Sequence, residues 1–167
     1  QFIYNMGFDV PDPPPDVSVT FKNSQDGNII LSWDAKADLA HDPDYEGEEA
    51  FDVEGYRIYR SQPPSFDWHY GPWEFVKEIP LKDENYYDTT TDKYTFTDEE
   101  SLAGYNYYYN VRTYDSGHDY WADKYGVDHG PVPSLESGYA SPEQKNMIAE
   151  TPFQPSSPIY DQMTEQI

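Results

Sequence analysis

The sequence predicts an all-β fold, a seven-stranded antiparallel β-sandwich with long loops and extended terminal arms. Three observations predict it. Apolar and polar residues alternate with period two in several short stretches, which puts one face of each stretch on a core. Turn-forming residues, 15 Pro and 10 Gly, punctuate those stretches and leave little room for long helices. Aromatic residues, 17 Tyr, 8 Phe and 4 Trp, stand where a core ordinarily uses aliphatic ones.

Taken in order, residues 1–10 (QFIYNMGFDV) form a short apolar arm, and Pro11 to Pro15 form a stiff, extended hinge. Val17, Val19 and Phe21 then alternate with Ser18 and Thr20 to give the first strand. Asp26-Gly27 is a turn signal, and residues 28–33 (NIILSW) are the partner strand. Residues 34–52 are acidic, contain Pro and Gly, and read as a long loop. In 53–60 (VEGYRIYR), Tyr56, Ile58 and Arg60 share one face, with Arg57 and Tyr59 on the other. A loop rich in Pro and aromatics follows at 61–72, then strands at 73–79 (WEFVKEI) and 93–98 (KYTFTD). The strongest strand is 105–114 (YNYYYNVRTY), where Tyr107, Tyr109, Val111 and Thr113 point one way. A third loop at 115–133 leads to an expected last strand at 134–140 (SLESGYA). From Pro152 onward no period is visible. The expected organisation is an arm at 1–12, a domain at 13–150 and a tail or linker at 151–167. The expected core is Trp33, Tyr56, Ile58, Tyr107, Tyr109 and Val111.

Composition bounds the function. A chain of 167 residues fits one domain with extensions. Leu, Ile, Val and Phe number only 29, and the formal charge is -22, a combination that by itself suggests disorder. Tyr and Trp offset this, because each aromatic side chain buries about 150–250 Å². With 32 acidic against 10 basic residues and no basic patch, the chain would repel phosphate backbones, so no nucleic-acid partner is expected. No apolar run approaches the roughly 18 residues a membrane span needs. The absence of cysteine removes disulfides, thiol catalysis, iron–sulfur clusters and thiolate zinc sites. The chain starts at Gln1 with no signal-like segment, which reads as a processed protein or a piece of a longer one.

The motifs between residues 13 and 150 resemble a fibronectin type III domain. They are the Pro cluster before the first strand, IILSW ending at Trp33, GYRIYR at 55–60, and the stretch from Trp73 to Val76. They continue with YTFTD at 94–98 and LAGYNYYYNVRTYDSG at 102–117. Leu102, Gly104, Tyr107, Tyr109 and Val111 match the family's sixth-strand spacing. The resemblance implies that Tyr107 is the corner tyrosine, its hydroxyl bonded to nearby backbone. FDVEGYRIYRS, YYYNVRTYDSG and PSLESG are together similar to a variant found in secreted, multidomain bacterial surface proteins. That implies a secreted or cell-surface location. The three long loops and both tails depart from the ordinary family pattern, so any particular function is expected there.

Four constellations carry candidate chemistry. The acidic loop offers Asp38, Asp42, Asp44, Glu46 and Asp52 as calcium ligands, since calcium takes six to eight hard oxygens. Asp42-Pro43-Asp44-Tyr45-Glu46-Gly47 opens like a calcium loop, but Val53 occupies the place of the closing Glu, so an EF-hand is rejected. The alternative is a solvated acidic loop. In the second loop, Phe66, Trp68 and Tyr70 are candidates for contacting a partner or stacking on glycans, against the plainer reading that such rings complete the core. The third loop holds Asp115, His118, Asp119, Asp123, Asp128 and His129, a set able to hold zinc or another divalent ion but matching no recognised spacing. In the arm, Phe2, Ile3, Tyr4 and Phe8 are candidates for packing on another copy or a neighbouring domain by adding a strand, the alternative being a linker. No nucleophile elbow, phosphate loop or distinguished carboxylate pair is present, so no catalytic residue is named and an enzyme is not expected. The expected function is a non-enzymatic extracellular structural or adhesive module, a building block of a surface assembly or filament. The alternative is a carbohydrate- or calcium-binding accessory domain of a secreted protein such as a hydrolase.

Overall fold

Every alternating stretch from Val19 to Asp115 lies in a sheet. The computed structural model describes residues 12–61, 73–102 and 107–137, together with the backbone of 147–150. The strands are β1 (Val19–Asn23), β2 (Ile29–Asp34), β3 (Val53–Ser61), β4 (Glu74–Pro80), β5 (Tyr87–Asp88), β6 (Lys93–Asp98), β7 (Tyr107–Asp115) and β8 (Met147–Glu150). They form two four-stranded sheets, ordered β1-β2-β6-β5 and β4-β3-β7-β8, with every pairing antiparallel. This is the antiparallel two-sheet sandwich that the alternation predicts and that the resemblance to a fibronectin type III domain implies. Seven strands have four residues or more, and β5 is an additional strand of two.

Two elements differ from expectation. The stretch expected as a last strand at 134–140 is, in its described part, an isolated bridge from Glu136 to Tyr114. Ser137 N–H donates to Thr113 and Asp115 N–H donates to the Leu135 carbonyl. Among the described residues the last strand is instead β8, which pairs with Tyr107 to Asn110. The nine residues of β7 are thus shared, its first half covered by β8 and its second half by 135–137. In the acidic loop, two short 3-10 turns form at Lys36–Leu39 and Gly47–Ala50.

The inward residues make a core of rings. Trp33, Tyr56, Ile58, Tyr107, Tyr109 and Val111 are all buried, together with Ile29, Leu31, Ile79 and Tyr94. Trp33 stacks on Tyr94 at 5.7 Å and meets Tyr56 edge-on at 5.4 Å. A tyrosine core creates a problem that a leucine core lacks, because each buried hydroxyl needs a partner. Two buried carboxylates answer it. Asp38 accepts from the Tyr56 hydroxyl, accepts from Tyr94 at 2.7 Å and pairs with the Lys82 ammonium at 2.9 Å. At the opposite pole Asp98 accepts from Tyr109 at 2.6 Å and takes the Arg60 guanidinium at 2.8 and 2.9 Å. The hydroxyl of Tyr107 accepts from Leu102 N–H at 2.9 Å, which is the corner bond expected of that residue.

The registers fix where the chain enters and leaves. β1 starts with Val19 opposite Trp33, at the Asp38 pole. β8 ends with Glu150 opposite Tyr107, at the Asp98 pole. The first and last strands of the sandwich therefore open at opposite poles.

Candidate functional site

The acidic loop and the third loop meet because β3 pairs with β7. Val53 opens β3 opposite Asp115, the last residue of β7. Asp52 and Ser116 therefore lie side by side, with Ser116 N–H donating to the Asp52 carbonyl at 3.0 Å. Two residues further, His118 is held by reciprocal backbone bonds with Val132, at 2.8 and 2.9 Å. Gly117 is required there, because a Cβ on it would stand 2.6 Å from the Val132 carbonyl. The imidazole Nε2 of His118 bonds Asp52 Oδ2 at 2.8 Å, and its ring stacks on Tyr45 at 3.6 Å. Tyr45 donates its hydroxyl to the Tyr120 carbonyl at 2.9 Å. Beneath them Tyr45, Ala50 and Trp121 form a second small core with Val132 packed on it. Asp42 reaches the same point through its N–H bond to the Ala50 carbonyl at 2.7 Å.

The ligand atoms of Asp42, Asp52 and His118 all lie within 4.8 Å of one another. Carboxylates crowd this region. Burial pushes the Asp115 carboxyl up to about 6, and the charges of Asp52 and Asp42 add to the rise, against the Leu135 N–H bond and His118. Burial also raises Asp42, helped by Asp52 and Asp44. Burial, with Asp42 and Asp44 nearby, pushes the Tyr45 hydroxyl up to about 12. A cleft of about 290 Å³ adjoins the cluster, lined by Glu48, Glu49, Phe51, Asp52, His118 and Asp119 among others. One imidazole with two carboxylates is a donor set suited to zinc or a similar borderline ion; calcium would draw on the carboxylate oxygens alone.

Of the five acids expected to share a calcium site, the fold brings together Asp42 and Asp52. Asp44 stands beside them, its N–H donating to Asp42 Oδ1 at 2.8 Å and its Oδ2 accepting from Asp12 N–H. Glu46 is exposed. Asp38 does not join the set. The first 3-10 turn directs its carboxylate into the core, where Tyr56, Tyr94 and Lys82 hold it. His118 belongs to the cluster although it sits in a different loop, and β3–β7 pairing is the signal that links the two. His129 instead pairs with Asp123 at 2.8 Å, near the tip of the third loop. Phe2, Ile3, Tyr4 and Phe8, and likewise Phe66, Trp68 and Tyr70, lie outside the described residues.

No family model matches the chain, and no curated protein matches it. Solved structures do resemble it. An Fn3-like protein from Clostridium thermocellum is 18% identical, with 81% of this chain and 100% of that chain covered and a TM-score of 0.33. Pectate lyase Pel3 from Pectobacterium carotovorum is 17% identical over 76% of this chain and 28% of that chain, with a TM-score of 0.33. The twitchin kinase region from C. elegans is 18% identical over 82% of this chain and 19% of that chain, with a TM-score of 0.35. At these values nothing about substrates or partners carries over to this chain.

Proposed function

We propose that the chain is a non-enzymatic structural or adhesive module of an extracellular protein, acting as a spacer and a building block of a surface assembly. The observation that carries this reading is the opposite placement of the first and last described strands. β1 opens at the Asp38 pole and β8 closes at the Asp98 pole, so sequential modules would be strung end to end. The ion pairs suit the same role. Arg57 and Arg112 converge on Glu136 at 2.7 and 2.8 Å across β3 and β7, tying the last described loop to the sheet. The test is small-angle scattering from two copies joined in tandem. The tandem should have nearly twice the maximum dimension of the single chain. A compact side-by-side pair would overturn the spacer reading.

A cation-binding role is the second reading, and the Asp42, Asp52 and His118 cluster favours it. It would make the module one whose third loop is locked to the acidic loop by a divalent ion, as in an accessory domain of a secreted protein. Its measurement is a melting comparison with and without divalent ions.

A further inference from the structure

We propose that the open mouth between β4 and β6 is an acceptor groove for a strand, and that its occupant is the apolar arm, residues 2–8, of a second copy of this chain. The proposal deepens the assembly reading by naming both halves of the contact. The groove measures about 720 Å³. Its floor is Val76 from β4, Phe96 from β6 and Tyr86, all half-buried. The outer edge of β6 is covered by β5 only at Lys93 and Tyr94, and Thr95 N–H donates to the Tyr86 carbonyl at 2.8 Å. In an antiparallel strand the backbone groups of alternate residues point to the same side. Thr97 therefore directs its N–H and carbonyl outward as Thr95 does, and among the described residues no strand covers it. β4 is itself the edge of the other sheet, so the groove runs between two edges. An extended segment laid there gains ladder bonds and side-chain pockets together.

Charge selects the occupant. The rim carries Glu84, Asp88, Glu99 and Glu100 against Lys77, on a chain of formal charge -22. An acidic segment would be repelled. Residues 1–10 hold a single charged group, Asp9, and Phe2, Tyr4, Met6 and Phe8 recur with the strand period, so one face of the segment is apolar. The attachment point starts this segment away from the β6 edge of its own molecule. Asp12 N–H is tied to Asp44, and the Pro15 carbonyl accepts from Thr113 of β7, which lies in the sheet that does not contain β6. Between them Pro13, Pro14 and Pro15 extend stiffly. Arm to groove is a head-to-tail contact, which propagates into a ring or an open filament.

The experiment uses the full chain and two variants. Thr97→Pro removes the outward N–H at an edge position that tolerates proline. The triple change Phe2→Ser, Tyr4→Ser and Phe8→Ser removes the apolar face of the arm. Light scattering on the wild type should show mass rising with concentration, and each variant alone should associate at least tenfold more weakly. An equimolar mixture of the two variants should form dimers and stop, because one intact arm then meets one intact groove. Circular dichroism confirms that both variants stay folded. A wild type that remains monomeric, or a mixture that fails to dimerise, overturns the proposal. Made on a tandem that carries Thr97→Pro in both copies, the scattering measurement is independent of this contact, so the spacer reading can stand when the groove assignment falls.

Discussion

At the scale of single residues, the acids of this chain divide into those that solve a packing problem and those that create one. Asp38 and Asp98 belong to the first kind, since buried tyrosine hydroxyls end on them. The Asp98 pairing with Arg60 is buried on both sides. Burial works against the Arg60 charge, but the hydrogen bonds that Arg60 donates to Asp98 outweigh it and raise the guanidinium above its usual range. Asp115 belongs to the second kind. Its carboxyl titrates at about 6 in the folded chain against 3.8 as the ordinary value. Between those values the folded state holds a proton that the unfolded state has lost. Stability therefore falls as pH rises through that window, and the penalty applies in full above it. Asp115→Asn keeps an oxygen for Leu135 N–H while removing the charge. Its melting temperature should exceed that of the wild type at pH 7.5, and the difference should vanish near pH 4. Parallel melting curves across that range would show that Asp115 is not the titrating group. The sequence displayed all these acids but not their directions. Charge runs report composition, whereas the 3-10 turn at Lys36–Leu39 decides that Asp38 turns inward while Asp42 stays with its loop.

At the scale of elements, the strands were legible wherever alternation lasted five residues or more, as in β3 and β7. Four-residue β8 has too few positions to show a period, whereas in the stretch before it Leu135 and Tyr139 spaced by polar residues imitate a strand. The meeting of Asp42, Asp52 and His118 was legible in principle, because loops flanking paired strands must converge, but it required knowing that β3 lies beside β7. Closeness of elements also explains Gly55. A Cβ at that position would stand 2.3 Å from the Ile79 carbonyl and 3.0 Å from a ring carbon of Tyr114. Backbone cannot yield as a side-chain tip can, so Gly55→Ala must push β3 away from β4. Overpacking of this kind costs about 1–3 kcal/mol. Urea unfolding should show a lower midpoint with an unchanged slope. A midpoint equal to that of the wild type would mean that the two strands part freely at this point.

At the scale of the whole molecule, the formal charge of -22 sets the response to ions. Self-repulsion destabilises a compact state, and the Debye length falls from about 10 Å at 0.1 M salt to about 3 Å at 1 M. Sodium chloride should thus raise the melting temperature gradually, with no dependence on which acids remain. A bound divalent ion behaves differently. It stabilises by mass action, by about 2.7 kcal/mol at a concentration a hundred times its dissociation constant. The two effects separate when calcium, zinc and sodium chlorides are compared at equal ionic strength. A specific ion at the Asp42, Asp52 and His118 cluster should raise the melting temperature beyond the sodium curve and reach a plateau. A zinc response stronger than the calcium response would mark His118 as a ligand, because calcium takes oxygen donors. Asp42→Asn with Asp52→Asn should remove the excess and leave the sodium response in place. If all three salts give one curve at equal ionic strength, the cluster acts by pairing His118 with Asp52 alone, and the two loops are held together without an ion.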